Sequence, residues 1–229
     1  MANEILSYLE MCQREGSSLQ RGMNYRLKDR HSVILMSVRP NAPYRDRIED
    51  NGATLIYEGH DVAKSPGITD AKRIDQPERT HGGALTQNGV FHQAAQAFKS
   101  GQRDPERVRV YEKIRDGIWT YNGVFHLTDS WRERDSHRSV FKFRLVSVEG
   151  EDDDEQPVQL NPIRRRIIPT EVKLEVWKRD GGRCVKCGAT SELHFDHDVP
   201  FSKGGSSISA QNVQLLCVRH NLEKHDQIL

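Results

Sequence analysis

The sequence lacks a dominant charge: 34 Lys and Arg stand against 33 Asp and Glu, for a formal net charge of +1 over 229 residues. Overall basicity therefore cannot hold a nucleic acid, and local basic patches would have to do so. Long apolar runs are also missing. None approaches the ~20 residues that cross a bilayer, so no membrane partner is expected. Residues 1–20 hold no signal-peptide core, which points to an intracellular, cytoplasmic protein. Cysteine is scarce: Cys12 stands alone and the other three of four lie between residues 183 and 225. That distribution excludes a disulfide framework and favours metal ligation in a reducing compartment.

What is present falls into two textures. Residues 2–15 read as an amphipathic helix with Ile5, Leu6, Leu9 and Cys12 near one face. From about Arg21 to Val148 the chain is mostly β. Ser32–Val38, Ala53–Tyr57, Val108–Ile114, Gly117–Thr128 and Ser139–Val148 are rich in branched and aromatic residues between turn formers. Only Phe91–Lys99 reads as helix there, so the expected class is α+β, a strongly curved sheet or barrel with flanking helices. Glu149–Pro162, acidic and then proline-containing, reads as a solvated linker. Composition turns basic at Arg164-Arg165-Arg166, and Thr170 is expected to cap a helix running to Trp177 with Val172 and Val176 inward. The domains are thus residues 1–148, a linker at 149–163, and residues 164–229.

The last domain carries the sharpest pattern. Cys184-x-x-Cys187 and Cys217-x-x-His220 are two ligand pairs, the spacing that lets residues three apart turn toward one ion. So short a segment has little core, and a tetrahedral structural Zn²⁺ would hold it together. Four protein ligands leave no open position, so chemistry must come from elsewhere. Asp196-His197 lies between the pairs and Asn221 directly follows the second. A histidine titrating near neutrality can take a proton from water, while a carboxylate and an amide oxygen suit Mg²⁺ or Mn²⁺. Leu193–Val199 and Val213–Leu216 read as strands, with a helix after Cys217.

Two strands, a loop and a helix around a metal resemble the ββα-metal unit of HNH endonucleases. The resemblance covers residues 183–225, with Asp196-His197 as the acid-histidine pair, Asn212 as the central asparagine and Asn221 in the final position. Many family members carry histidine there, so this is an H-N-N variant; His220 stands where a fourth cysteine is commoner. The resemblance implies His197 as general base, Asp196 and Asn221 as ligands of the catalytic metal, and Asn212 as a brace for the loop. Arg219, Lys203 and Lys224 are candidate phosphate contacts, equally readable as solvated surface charges.

A second resemblance covers roughly residues 20–148. The run SVILMSVRPNAPYRDRIEDNGATLIYEGHD, then ALTQNGVF, VRVYEKI, GIWTYNGVFHLTDSW and VFKFRL, is similar to SRA domains, which rotate a modified cytosine out of duplex DNA. The family's Tyr-Asp-Gly signature stands here as Tyr121-Asn122-Gly123. The likeness implies a base pocket with Tyr44 and Tyr57 as stacking rings, Asp46 as acceptor for cytosine N4, and Glu58 sharing the polar work. On the residues alone, Tyr57 is equally a core residue and Asp46 equally a partner for Arg45 or Arg47. Lys72 and Arg73, in the turn-rich segment 64–73, are candidate DNA contacts or solvated charges.

Together the resemblances imply a prokaryotic, modification-dependent restriction endonuclease of type IV or IIM kind. Its partner would be double-stranded DNA containing 5-methylcytosine or a related base, and its cofactors Zn²⁺ and Mg²⁺ or Mn²⁺. One HNH site cuts one strand, so double-strand cleavage implies a dimer, the expected homodimer, or two independent binding events. The alternatives are a non-cleaving reader of modified DNA with a structural zinc module, and an HNH nuclease whose first domain recognises another DNA feature.

Overall fold

A computed structural model of the chain describes residues 3–63, 65–148, 168–199, 205–206 and 208–224. The expected linker at 149–163, Arg164 to Arg166, Lys203 and His225 lie outside the described residues.

Among the described residues ten strands join in one sheet. They are β1 (Glu4–Ser7), β2 (Met23–Leu27), β3 (His31–Met36), β4 (Arg47–Glu49), β5 (Thr54–Glu58), β6 (Glu106–Arg115), β7 (Ile118–Arg134), β8 (Ser139–Ser147), β9 (Leu193–His197) and β10 (Val213–Cys217). The helices are α1 (Tyr8–Glu15), α2 (Gln87–Lys99), α3 (Thr170–Arg179) and α4 (Val218–Lys224). Among the described residues no helix is long and apolar enough to cross a membrane.

Strand β7 organises the sheet. Its first half pairs with β6 on one edge and β1 on the other, and its second half pairs with β8. The ladder then continues from β6 through parallel β3 to β2, and from β8 through β5 to β4. Curling brings these strands around one apolar core, where Phe91, Ala94 and Ala95 of α2 meet Ile34, Leu55 and Phe125. Thr86 starts α2 by accepting from the Gly89 amide.

Three expectations change. Residues 2–15 are not one helix: Glu4–Ser7 is a strand held between β7 and β9, and only Tyr8–Glu15 is helical. Ser7 and Glu10 form a capping box there, and a ladder on both edges of Glu4 outweighs helical periodicity upstream. Leu9, expected inward, is 65% exposed. Thr170 does not cap α3; Pro169 holds that position, and Thr170 is the first helical residue with its hydroxyl bonded to Glu112. β2 and β4, short and polar, carry no strand pattern in the sequence.

The C-terminal elements form their own small core. Val172 and Val176 of α3 pack on Phe195, Val213 and Leu215, joined by Ile114 of β6.

Candidate functional site

A cavity of about 580 Å³ opens at the C-terminal end of β3 and is lined by, among others, Ser37, Tyr44, Asp46, Tyr57 and His60. Asp46 sits in the 44–46 loop because two backbone amides seize its carboxylate: Ser37 N–H at one oxygen and Glu58 N–H at the other, each at 3.0 Å. Burial outweighs these bonds and pushes the Asp46 carboxyl up to about 7. Tyr57 is 1% exposed, and its hydroxyl donates to the Leu35 carbonyl and meets His60 Nε2 at 3.0 Å. The Tyr44 ring lies parallel to His60, centroids 5.3 Å apart and planes at 16°. Lys72 Nζ sits over the Tyr44 ring, 4.1 Å from its centroid, and pairs with Asp61 at 2.8 Å.

Gly22 is required by this close packing. A Cβ there would meet His60 Nε2 and the Tyr57 hydroxyl at 2.8 Å each. Burial drives the His60 imidazole down to about 4, so it is neutral at physiological pH.

Glu58 does not line the cavity. Its carboxylate accepts from Lys142 Nζ at 2.9 Å and the Arg45 amide at 3.2 Å, and lies 3.5 Å from Arg138. Its place is beneath the loop that carries Tyr44 and Asp46. Arg73 is exposed and pairs with Asp70 at 3.5 Å.

In the C-terminal unit, Cys184, Cys187, Cys217 and His220 converge, with all four ligand atoms within 4.8 Å of one another. Cys187 and Cys217 sulfurs are 3.8 Å apart, and His220 Nδ1 is 3.4 Å from both Cys184 and Cys217. A tetrahedron with Zn–S of about 2.3 Å and Zn–N of about 2.0 Å has edges of about 3.8 Å and 3.5 Å, so this donor set fits zinc. The turn closes through Cys184 N–H to Ala189 O and Gly188 N–H to Cys184 O, both 2.8 Å. Burial raises the Cys184 thiol, yet the amides of Cys217, Cys187 and Lys186, with His220, outweigh it and hold the thiol at about 6.

Beside this cluster, β9 ends on Asp196 and His197, paired with Gln214 and Val213 of β10. Asn212 clamps the chain beyond β9: its side-chain amide accepts from Val199 N–H at 2.8 Å and donates to the Val199 and Ser206 carbonyls at 3.0 and 3.1 Å. Lys224, at the end of α4, is buried, bonds the His197 carbonyl and pairs with Asp196 at 2.8 Å. It is therefore not a surface cation, whereas Arg219 is exposed. Asn221 precedes Lys224 by three residues on α4 and is half-buried. Burial lowers the His197 pKa against the opposing pull of Asp196, favouring the neutral imidazole. A carboxylate and an amide oxygen, the donors that Asp196 and Asn221 carry, are of the hard kind Mg²⁺ or Mn²⁺ takes.

The structure thus brings Tyr44, Asp46 and Tyr57 to one cavity, and Asp196 and His197 to one strand end near α4. Sequence reasoning missed His60 and Ser37. A histidine following Tyr57-Glu58-Gly59 at a strand end was the available signal for the first; nothing in sequence marked the second.

Comparison with known proteins gives two family matches: the SAD/SRA domain over residues 10–151 and the HNH endonuclease over residues 184–227. No curated protein matches the chain. Among solved structures, the chain is similar to the SUVH5 SRA domain in complex with methylated CHH DNA, at 23% identity over 66% of this chain and 90% of that one, TM-score 0.46. SUVH5 SRA bound to fully hydroxymethylated CG DNA matches at 22% identity, 68% and 93% coverage, TM-score 0.45. Arabidopsis thaliana SUVH6 in complex with SAM matches at 18% identity, 86% and 31% coverage, TM-score 0.42.

Proposed function

The chain belongs to the SAD/SRA domain family, with an HNH endonuclease domain at its C-terminal end, and on that premise we propose that it is a modification-dependent DNA endonuclease of type IV or IIM kind. The observation that carries this reading is a cavity lined by two tyrosines and Asp46 in the same chain as a zinc-type cluster with Asp196 and His197 on the adjoining strand.

A 5-methylcytosine, or a related 5-modified cytosine, is rotated from the duplex into the cavity. The base stacks on Tyr44 and Tyr57 and donates from N4 to Asp46, offsetting the few kcal/mol of lost base stacking. His60 holds Tyr57 through its hydroxyl, and Glu58 supports the loop from behind. Lys72 and Arg73 contact DNA beside the cavity mouth.

At the other end, His197 takes the proton from the attacking water. Asp196 and Asn221 would hold a Mg²⁺ or Mn²⁺, which would supply neutralisation of charge on the phosphate and leaving oxygen. Asn212 fixes the loop after His197, and Cys184, Cys187, Cys217 and His220 hold a structural Zn²⁺. One such site cuts one strand, so double-strand cleavage uses two copies, as a homodimer. The setting is the cytoplasm of a prokaryote.

Matched plasmids bearing cytosine, 5-methylcytosine or 5-hydroxymethylcytosine, each with Mg²⁺, Mn²⁺ or chelator, test this. Metal-dependent cutting of modified plasmids alone is expected. No cutting of any plasmid removes the nuclease reading, and equal cutting of all three removes the reader.

A further inference from the structure

Composition separates the two units by an acidic stretch, yet their described residues meet along a seam with three distinct parts. The first is a ladder: Glu4 of β1 pairs with Tyr121 of β7 on one edge and His194 of β9 on the other. The second is apolar: Ile114 of β6 and Ile5 of β1 pack into the small core around Phe195 and Leu215. The third is a buried polar cluster. Lys173 of α3 is 0% exposed, and its Nζ reaches Glu112 of β6 at 2.5 Å and Asn122 Oδ1 of β7 at 2.8 Å. Glu112, also 0% exposed, accepts in addition from Asn122 Nδ2 at 3.0 Å and from the Thr170 hydroxyl.

Asn122 reaches this cluster because β7 bulges there. Val110 pairs with Gly123 while Tyr111 pairs with Tyr121, leaving Asn122 as the extra residue, and Gly123 takes φ 100°. The residue type matters. An amide donates to Glu112 and accepts from Lys173 at once, whereas an aspartate in the same place could only accept and would set its charge against the Glu112 carboxylate. The departure from Tyr-Asp-Gly to Tyr121-Asn122-Gly123 therefore has a local physical reason.

A buried, fully bonded ion pair specifies one docking geometry, because sliding it by one residue strands two charges without partners. We infer that the Glu112–Asn122–Lys173–Thr170 cluster locks the HNH unit onto the SRA domain as one body. The distance from the modified base to the cut bond is then set by this seam and not by the length of residues 149–163. The consequence for cutting rests on the function proposed above; the lock itself does not.

The test uses the full chain and a linear duplex with one 5-methylcytosine, with cut positions mapped at single-nucleotide resolution. Ten Gly and Ser residues inserted between Glu155 and Gln156 leave the cut register unchanged. Asn122→Asp scatters cuts over several bonds while affinity for the modified duplex stays within about twofold. Adding Glu112→Gln to that variant restores a single register. A register that shifts or scatters on linker insertion, or stays single in Asn122→Asp, overturns the lock. Thermal unfolding provides a readout that needs no cutting: one transition in the wild type and the insertion variant, two in Asn122→Asp. If no duplex is cut, the nuclease reading fails and calorimetry still decides the lock, with two wild-type transitions overturning it.

Discussion

Two half-buried carboxylates, Asp46 in the cavity and Asp196 in the HNH unit, both have their pKa raised by desolvation and are held in different ways. Asp46 has backbone amides on both oxygens, and burial still carries its pKa to about 7. Asp196 has a buried lysine against it, and burial raises its pKa as well, though Lys224 opposes the rise. Their hosts differ in the same sense. Asp46 belongs to a domain whose sheet and α2 enclose a large apolar core, and its carboxylate is held by the Ser37 and Glu58 amides. Asp196 belongs to a unit with a small core, where a metal cluster and a buried ammonium supply what packing cannot. The Tyr44–Asp46 loop is held by backbone amides and by the buried Glu58–Lys142–Arg138 group behind it, and the HNH unit by its ligand cluster and Lys224.

Removing the metal cluster should break that contrast most severely. A structural zinc site contributes on the order of 10 kcal/mol to the folding of a small module. Cys217→Ser is expected to abolish cutting and zinc content, while gel-shift affinity for modified duplex persists. Equal loss of both would show that the reader leans on the cutter.

Lys224→Met is next in size. It leaves Asp196 half-buried without its cation, and breaking such a pair costs about 3 kcal/mol. Calorimetry should show a lower melting temperature, while discrimination between modified and unmodified duplex is unaffected.

Tyr44→Ala should reverse the pattern. One stacking partner for a base is worth ~1–3 kcal/mol, so affinity for modified duplex should fall about thirtyfold with no change in melting temperature. Fluorescence anisotropy on a labelled duplex reads this directly.

The smallest effect comes from pH. The folded Asp46 pKa, about 7, stands above the ordinary aspartate value of 3.8. Its stabilising contribution is full below pH ~4 and lost as pH rises through ~7, so the free protein melts lower at pH 8 than at pH 5. Binding moves the other way, because the charged carboxylate accepts from N4 more strongly than the neutral acid does. Affinity should rise about tenfold from pH 6 to pH 8, and Asp46→Asn should flatten that rise.

How much of this was legible in sequence depended on range. The two ligand pairs and the β9–β10 hairpin are local patterns, and the cluster of Cys184, Cys187, Cys217 and His220 converges as their spacing implies. The β strands 3, 5, 6, 7 and 8 came from branched and aromatic runs between turns. The illegible parts depend on partners far away in the chain. Glu4–Ser7 is a strand only because β7 and β9 lie on either side of it. Glu112 and Lys173 are 61 residues apart and look like two more surface charges until the seam closes over them. Lys224 reads as solvated for the same reason, and His60 becomes a cavity residue only when β5 delivers it against Tyr44.

The division of labour itself is tested most directly by His197→Ala, which removes the proposed base without touching the cavity. Affinities for duplexes identical but for one 5-methylcytosine should be measured with this variant and the wild type, both in chelator. The account predicts the same ratio of modified to unmodified affinity in the two proteins, with cutting by the variant in Mg²⁺ reduced by about 10²–10⁴. A collapsed ratio would mean that the HNH unit takes part in reading the base, and substantial residual cutting would mean that His197 is not the base.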